Sequence, residues 1–155
     1  MTTHERRGAY REALKVALGS PYRWGGKDET RGFDCSGLIV WALRKAGINV
    51  PDTDANGLYA FFHPYKRIHT QAPEGSLFFY CDETRGRINH VMTVYMVWPN
   101  GTRVLCGARG GTSKTLTLED AARDNAFVDL VISENYMPQR LIMCVDPFAA
   151  GGVNR

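Results

Sequence analysis

The sequence predicts an α+β fold in which an antiparallel β-sheet packs against one central helix. Apolar residues recur at helical spacing in the first half of the chain, and short apolar runs separated by turn residues occupy much of the second half. The apolar stripe of a helix and the apolar face of a sheet are stable only when they bury each other. The 155 residues are therefore predicted to form one domain over residues 1–148, followed by a disordered tail at 149–155.

The first half predicts three helices. An amphipathic helix over residues 4–18 ends at the glycine and proline turn of residues 19–21. The central helix begins at Cys35 and ends before Gly47, a residue type typical of helix C-termini. A third, short helix is predicted over residues 54–61. The apolar side of the central helix comprises Leu38, Ile39, Trp41, Ala42 and Ala46.

The second half predicts four strands. The first follows the turn at residues 73–76 and ends at Tyr80, and the others cover residues 90–98, 102–108 and 140–145. The stretch from 118 to 136 has no strand pattern and is predicted to be helix-like or irregular. The four strands are expected to form an antiparallel sheet on the central helix.

Composition limits the function classes. The chain is 44% hydrophobic and 23% charged, as in ordinary globular proteins, with a formal net charge of +3. This mildly basic balance is compatible with approaching an anionic polymer, although many unspecialised proteins share it. No apolar run reaches the roughly 18 residues of a membrane span, and residues 1–7 do not resemble a signal peptide. Neither a nucleic-acid nor a membrane partner is predicted.

The cysteines and histidines predict neither a metal site nor a cofactor. Cysteines 35, 81, 106 and 144 are far apart and include no Cys-x-x-Cys pair, which favours free thiols. The histidines include no His-x-x-x-His pair, and His63 and His69 are expected to be solvated or packing residues.

Cys35 is the candidate nucleophile. It lies where a glycine-rich loop, residues 22–32, leads into the central helix. Unpaired N–H groups and the positive dipole end at a helix N-terminus stabilise a thiolate, so a depressed pKa is expected for Cys35. The alternative is a small buried core cysteine.

Three motifs around Cys35 resemble a known family. They are Tyr22-Arg23-Trp24-Gly25-Gly26, then Phe33-Asp34-Cys35-Ser36-Gly37, and later Asn89-His90-Val91. Together and in this order they resemble the NlpC-type cell-wall peptidases, a branch of the papain-like cysteine peptidases. The resemblance implies a papain-like fold with the nucleophile at the N-terminus of the central helix.

The resemblance also implies a general base and a third residue that orients it. His90 matches the family's histidine and would accept the proton of Cys35. The third residue, often a histidine, is expected on the next strand, where this chain has Cys106, Gly107 and Arg109. A three-residue loop at 99–101 would place Cys106 on the sheet face of His90, whereas a two-residue loop would place Gly107 and Arg109 there. Cys106 is the candidate, although a backbone carbonyl or water could serve instead.

Further residues are assigned to the substrate by motif position. Tyr22, Asp34 and Ser36 would surround the nucleophile and hold the free amino end of a short peptide, although Asp34 and Ser36 could equally be helix caps. Trp24 is expected to be a packing wall, and Arg109 could bind a substrate carboxylate or be solvated.

The predicted function is a cysteine peptidase or amidase that cuts peptidoglycan stem peptides, the family's usual bond joining γ-D-glutamyl to a diamino acid. One alternative is acyl transfer or cleavage of another amide. Another is a phage tail or wall-binding component with weak or no catalysis. Without a signal peptide, the protein is expected to be made in the cytoplasm and to reach the wall by phage, lysis or secretion machinery.

Overall fold

The protein is a layered α+β fold, seen in a computed structural model that describes residues 1–67 and 71–149. The helices are α1 (Thr3–Ala17), α2 (Cys35–Lys45), α3 (Ala55–Phe62) and α4 (Leu118–Asp124). The strands are β1 (Lys27–Asp28), β2 (Gly32–Phe33), β3 (Lys66–Arg67), β4 (Leu77–Cys81), β5 (Ile88–Val97), β6 (Arg103–Arg109), β7 (Phe127–Ile132) and β8 (Leu141–Val145). His69 and residues 150–155 of the predicted tail lie outside the described residues.

The main sheet has the strand order β3-β8-β4-β5-β6-β7, and every neighbouring pair is antiparallel. Its inner face packs on the helices and includes Phe79, Val91 and Cys106. Its outer face includes Tyr80 and Met92. The predicted α+β architecture is confirmed.

Two strands of the main sheet, β3 and β7, were not expected from the sequence. The stretch predicted as helix-like or irregular divides into α4 and then β7, which pairs with β6 at the edge of the sheet. Most of β7 is only partly buried, and Asp129 interrupts its apolar residues, so the usual pattern of a buried strand is weak there. The two-residue β3 is too short to produce a pattern.

A β-bulge in the β5–β6 hairpin decides which residues face the site. The loop has three residues, because Trp98 donates its N–H to the carbonyl of Thr102 at 2.8 Å. The register then shifts at Tyr95, so that Thr93, and not Val94, lies opposite Cys106. One extra residue in a strand reverses which residues of the partner strand share a face with it beyond the bulge. Cys106 therefore belongs to the inner face, away from the face of Met92.

Candidate active site

Cys35 is the first residue of α2, and its helix begins with a side-chain cap. The Asp34 carboxylate accepts hydrogen bonds from the Gly37 N–H at 2.7 Å and from the Ser36 hydroxyl at 3.3 Å. Its other oxygen accepts from the Gly25 N–H at 3.0 Å. Burial raises the pKa of Asp34, and these hydrogen bonds act in the opposite direction. The cap therefore fixes the start of α2 and with it the position of Cys35.

Glycines allow the loop to approach α2 closely. A Cβ atom at Gly37 would collide with the carbonyl oxygen of Gly26, and a Cβ atom at Gly26 would collide with that of Gly32. Asp34 also donates its N–H to the Gly26 carbonyl at 3.1 Å. The glycines of both motifs thus hold the backbone around Cys35 in one arrangement.

Cys35 and His90 line the same cleft, whose volume is about 490 Å³. His90 is near the start of β5 and is half-buried. The backbone N–H of its neighbour Val91 is one of the groups that act to lower the pKa of the Cys35 thiol. The fold thus brings together two residues that are 55 positions apart in sequence.

The protein interior favours the neutral forms of both groups. Burial, and then the Asp34 carboxylate, raises the pKa of Cys35 to about 12, and backbone N–H groups such as that of Val91 act in the opposite direction without outweighing it. Burial, and then the Arg109 guanidinium, lowers the pKa of His90 to about 4. The predicted depression of the Cys35 pKa is therefore wrong for the free protein. The resting pair at neutral pH is a thiol and a neutral imidazole.

Tyr136 makes the one side-chain hydrogen bond that the described residues show for the His90 ring. Its hydroxyl oxygen lies 2.9 Å from His90 Nε2. The Tyr136 ring meets the Tyr80 ring edge-on, with centroids 5.5 Å apart, and the Arg109 guanidinium carbon lies 5.8 Å from its centroid. A hydroxyl therefore occupies the position beside His90 where the third residue was expected.

Cys106 does not occupy that position, so its prediction as the third residue is wrong. It is fully buried in the inner core and pairs with Thr93, because the bulge at Tyr95 reverses the face on which it lies. Gly107 lies on the other face, where the Met92 sulfur occupies the space of a Cβ atom. Arg109 binds Asp129 through two hydrogen bonds of 2.7 and 2.9 Å.

The other predicted site residues also line the cleft. Tyr22, Asp34 and Ser36 are all present there, as are Trp24 and Arg109. Tyr22 is buried against Gly111, at which any Cβ atom would strike the tyrosine ring. Burial raises the pKa of the Tyr22 hydroxyl, and the nearby Cys35 and Asp34 act in the same direction. Trp24 is half exposed, so it forms part of the cleft wall facing solvent.

Known proteins supply an independent comparison. The family model described as the NlpC/P60 family matches residues 19–144, a range that includes every motif around the cleft. The chain belongs to the NlpC/P60 family.

Relatives within the NlpC/P60 family carry endopeptidase names. The bifunctional muramidase/DL-endopeptidase CwlT of Bacillus subtilis is 56% identical over 43 residues, which are 28% of this chain and 13% of that protein. The murein DD-endopeptidase MepH of Escherichia coli is 37% identical over 79 residues, which are 50% of this chain and 29% of that protein. The matched segments thus cover less than a third of the length of these two relatives.

A solved NlpC/P60 structure shares the fold. An NLP/P60-family protein of Staphylococcus aureus, described as similar to a lipoprotein, superposes with a TM-score of 0.65 at 24% identity. The match covers 91% of this chain and 41% of that one. The papain-like topology predicted from the resemblance is confirmed.

Tyr136 was missed because nothing in the local sequence distinguishes it. It follows a short 3₁₀ turn, Ser133–Asn135, and precedes Met137, whose φ of 43° lies in the left-handed region. It is 46 positions beyond His90. Only the packing of the segment between β7 and β8 brings it to the NlpC/P60 cleft.

Within the described residues, no helix is long and apolar enough to cross a membrane. The same residues contain no group of three or more His, Cys, Asp or Glu side chains arranged to hold a metal ion.

Proposed function

We propose that this chain is a cysteine peptidase that cleaves an amide bond in peptidoglycan stem peptides. Cys35 is the nucleophile and His90 the general base. The observation that supports this most directly is the presence of both side chains in one cleft, with Cys35 at the capped N-terminus of α2. The endopeptidase names of the two relatives support the same substrate class.

The neutral resting pair defines the first chemical step. His90 accepts the Cys35 proton as the sulfur attacks the amide carbonyl, so that thiolate forms during attack and is not stored beforehand. The backbone N–H groups around Cys35 that favour negative charge there are suited to the developing oxyanion and thiolate. The imidazolium then gives its proton to the leaving amine. Water, deprotonated by the same imidazole, hydrolyses the thioester and regenerates the thiol.

The bond between γ-D-glutamyl and a diamino acid is the proposed target. The resemblance of the three motifs is its only support. The relatives' names do not agree on one bond, since one is a DL-endopeptidase and the other a DD-endopeptidase. Tyr22, Asp34 and Ser36 are proposed to hold the amino end of the peptide, since all three line the cleft beside Cys35.

Mass spectrometry of purified peptidoglycan tests both whether the protein cleaves an amide and which bond it cleaves. Wild-type protein should release fragments whose masses locate the new amine and carboxyl ends, and Cys35→Ala should release none. Cys144→Ala is the matched control, because Cys144 is a buried thiol on the outer face of the sheet.

The fragments also separate the alternatives. Cleavage at D-alanyl cross-links would reject the γ-D-glutamyl bond but keep the peptidase. Identical digests from wild type and Cys35→Ala would reject the peptidase and favour a catalytically silent wall-binding component.

A further inference from the structure

We propose that Tyr136 is the positioning residue that orients His90, replacing the third residue that the neighbouring strand does not supply. The catalytic part of this proposal rests on the proposed function, in which His90 is the general base. Its structural basis is the hydrogen bond between the Tyr136 hydroxyl and His90 Nε2.

No side chain of β6 can accept a hydrogen bond from the His90 ring. Gly107 has no side chain, and Met92 fills the space above it. Cys106 lies on the inner face. Arg109 approaches the site, but a guanidinium has only donors, and it already binds Asp129. The orienting group must therefore come from elsewhere in the fold.

The Tyr136 ring is held in place from two sides. Tyr80 packs edge-on against it, and the Arg109 guanidinium, fixed by Asp129, faces the ring. Aromatic edge contacts and cation–π contacts both restrict the ring's orientation. A ring fixed in this way keeps its hydroxyl directed to Nε2.

The hydrogen bond determines which ring nitrogen is free to act. With Nε2 bonded to Tyr136, the nitrogen left to accept a proton from Cys35 is Nδ1. Nδ1 is basic only when Nε2 carries the hydrogen, which the tyrosine oxygen then accepts. Burial raises the pKa of Tyr136 to about 12, so the phenol stays neutral. In the proposed arrangement the Tyr136 oxygen accepts from Nε2–H, the role that leaves Nδ1 basic for Cys35 and that persists in the imidazolium.

The chain offers a matched pair of variants. Tyr136→Phe removes the hydroxyl and keeps the ring. Tyr80→Phe removes a buried hydroxyl that has no hydrogen-bond partner among the described residues, while its ring also packs near His90, with centroids 5.9 Å apart. Comparable melting temperatures for the two variants would show that both fold.

Nuclear magnetic resonance of the ¹⁵N-labelled histidine rings tests the positioning directly and needs no substrate. The His90 signals, assigned by their loss in His90→Gln, should show the Nε2–H tautomer in wild type and in Tyr80→Phe. Tyr136→Phe should show a mixture of tautomers. An unchanged tautomer in Tyr136→Phe would overturn the proposal, whether or not the protein cleaves peptidoglycan.

Kinetics give the second readout. The hydrogen bond is present at rest and strengthens when the imidazole becomes charged as the proton moves, so Tyr136→Phe should lower kcat by about tenfold to a hundredfold with little change in KM. Tyr80→Phe should keep both constants. Equal kcat values for wild type and Tyr136→Phe would also overturn the proposal, whereas inactivity of the wild type would reject only the proposed function.

Discussion

At the scale of single residues, the Cys35 thiol is subject to two opposed effects. Burial disfavours the thiolate, and the backbone N–H groups at the start of α2 favour it, with burial the larger. Access separates Cys35 from the other thiols: its exposed fraction is 9%, against 2% or less for Cys81, Cys106 and Cys144. Only Cys35 among them lines the cleft.

Cys35 is therefore expected to be alkylated by iodoacetamide before the other three cysteines. Because the thiol and not the thiolate is the resting form, its rate should keep rising with pH above neutrality. Peptide mass mapping at several pH values measures this, with Cys35→Ala as the control. If Cys35 were alkylated most slowly of the four cysteines, its assignment as an accessible nucleophile would be contradicted.

His90 should make stability depend on pH. Burial and Arg109 lower its pKa to about 4, against 6.5 when it is solvated, so between these values the unfolded chain binds a proton that the folded protein does not. The free energy of unfolding contributed by His90 is thus fully retained above about pH 6.5 and lost as the pH falls toward 4.

Urea denaturation at pH 4.5 and pH 7 measures this difference. The difference should be smaller in His90→Gln, which cannot titrate. An equal pH dependence in wild type and His90→Gln would show that His90 is not held neutral by the fold.

At the scale of elements, the bulge in β5 controls the identity of the residues beside the cleft. It places Thr93 opposite Cys106 and leaves the Cys106 side chain in the core between sheet and helices. A residue introduced at position 106 therefore meets tightly packed apolar neighbours and not His90.

Cys106→His should consequently destabilise the protein without raising activity. Placing a larger, polar ring in this core is expected to cost about 1–3 kcal/mol. Thermal melting and the cleavage rate together measure the effect, and Cys106→Ala, which keeps the site apolar and smaller, is the control. A higher cleavage rate for Cys106→His would mean that position 106 does face His90.

At the scale of the whole molecule, an ion pair joins the two ends of the described chain. Arg7 of α1 binds Asp146, which follows β8, through two hydrogen bonds of 2.9 and 2.6 Å, and Asp146 is almost completely buried. Arg7 also donates to the Glu74 carbonyl at 2.7 Å. The pair thus links the first helix to the segment after the last strand, and neither of its residues lines the cleft.

Arg7→Met should lower the free energy of unfolding by about 3 kcal/mol, because it leaves the Asp146 carboxylate buried without its partner. Arg11→Met on the same helix is the control. The Arg11 guanidinium lies 3.7 Å from the Glu74 carboxylate, and both side chains are 42% exposed, so the expected loss of unfolding free energy is below about 1 kcal/mol. Chemical denaturation measures both, and similar losses would show that burial of Asp146 does not matter.

The local sequence was sufficient to predict α2, because helix signals depend on neighbours a few positions away, but it left Asp34 as either a substrate residue or the cap that the structure has. The spacing of Leu38, Ile39 and Ala42 predicted the buried side of the helix, and all three are fully buried. The glycine-bounded motif predicted Cys35 at the helix start, where the structure has it. The three motifs also predicted the family and hence the fold.

Only the tertiary structure decided what surrounds His90. The loop at 99–101 has the length that would have favoured Cys106, but the bulge at Tyr95 reverses the outcome, and the sequence did not indicate an unpaired residue there. Tyr136 hydrogen-bonds His90 from the segment before β8, and the charge of Arg109 on β6 lowers the His90 pKa. The pKa of Cys35 follows from burial that no helix pattern reports. Patterns of neighbouring residues specify helices and strands, whereas register, burial and the hydrogen bonds of a site depend on packing between distant segments.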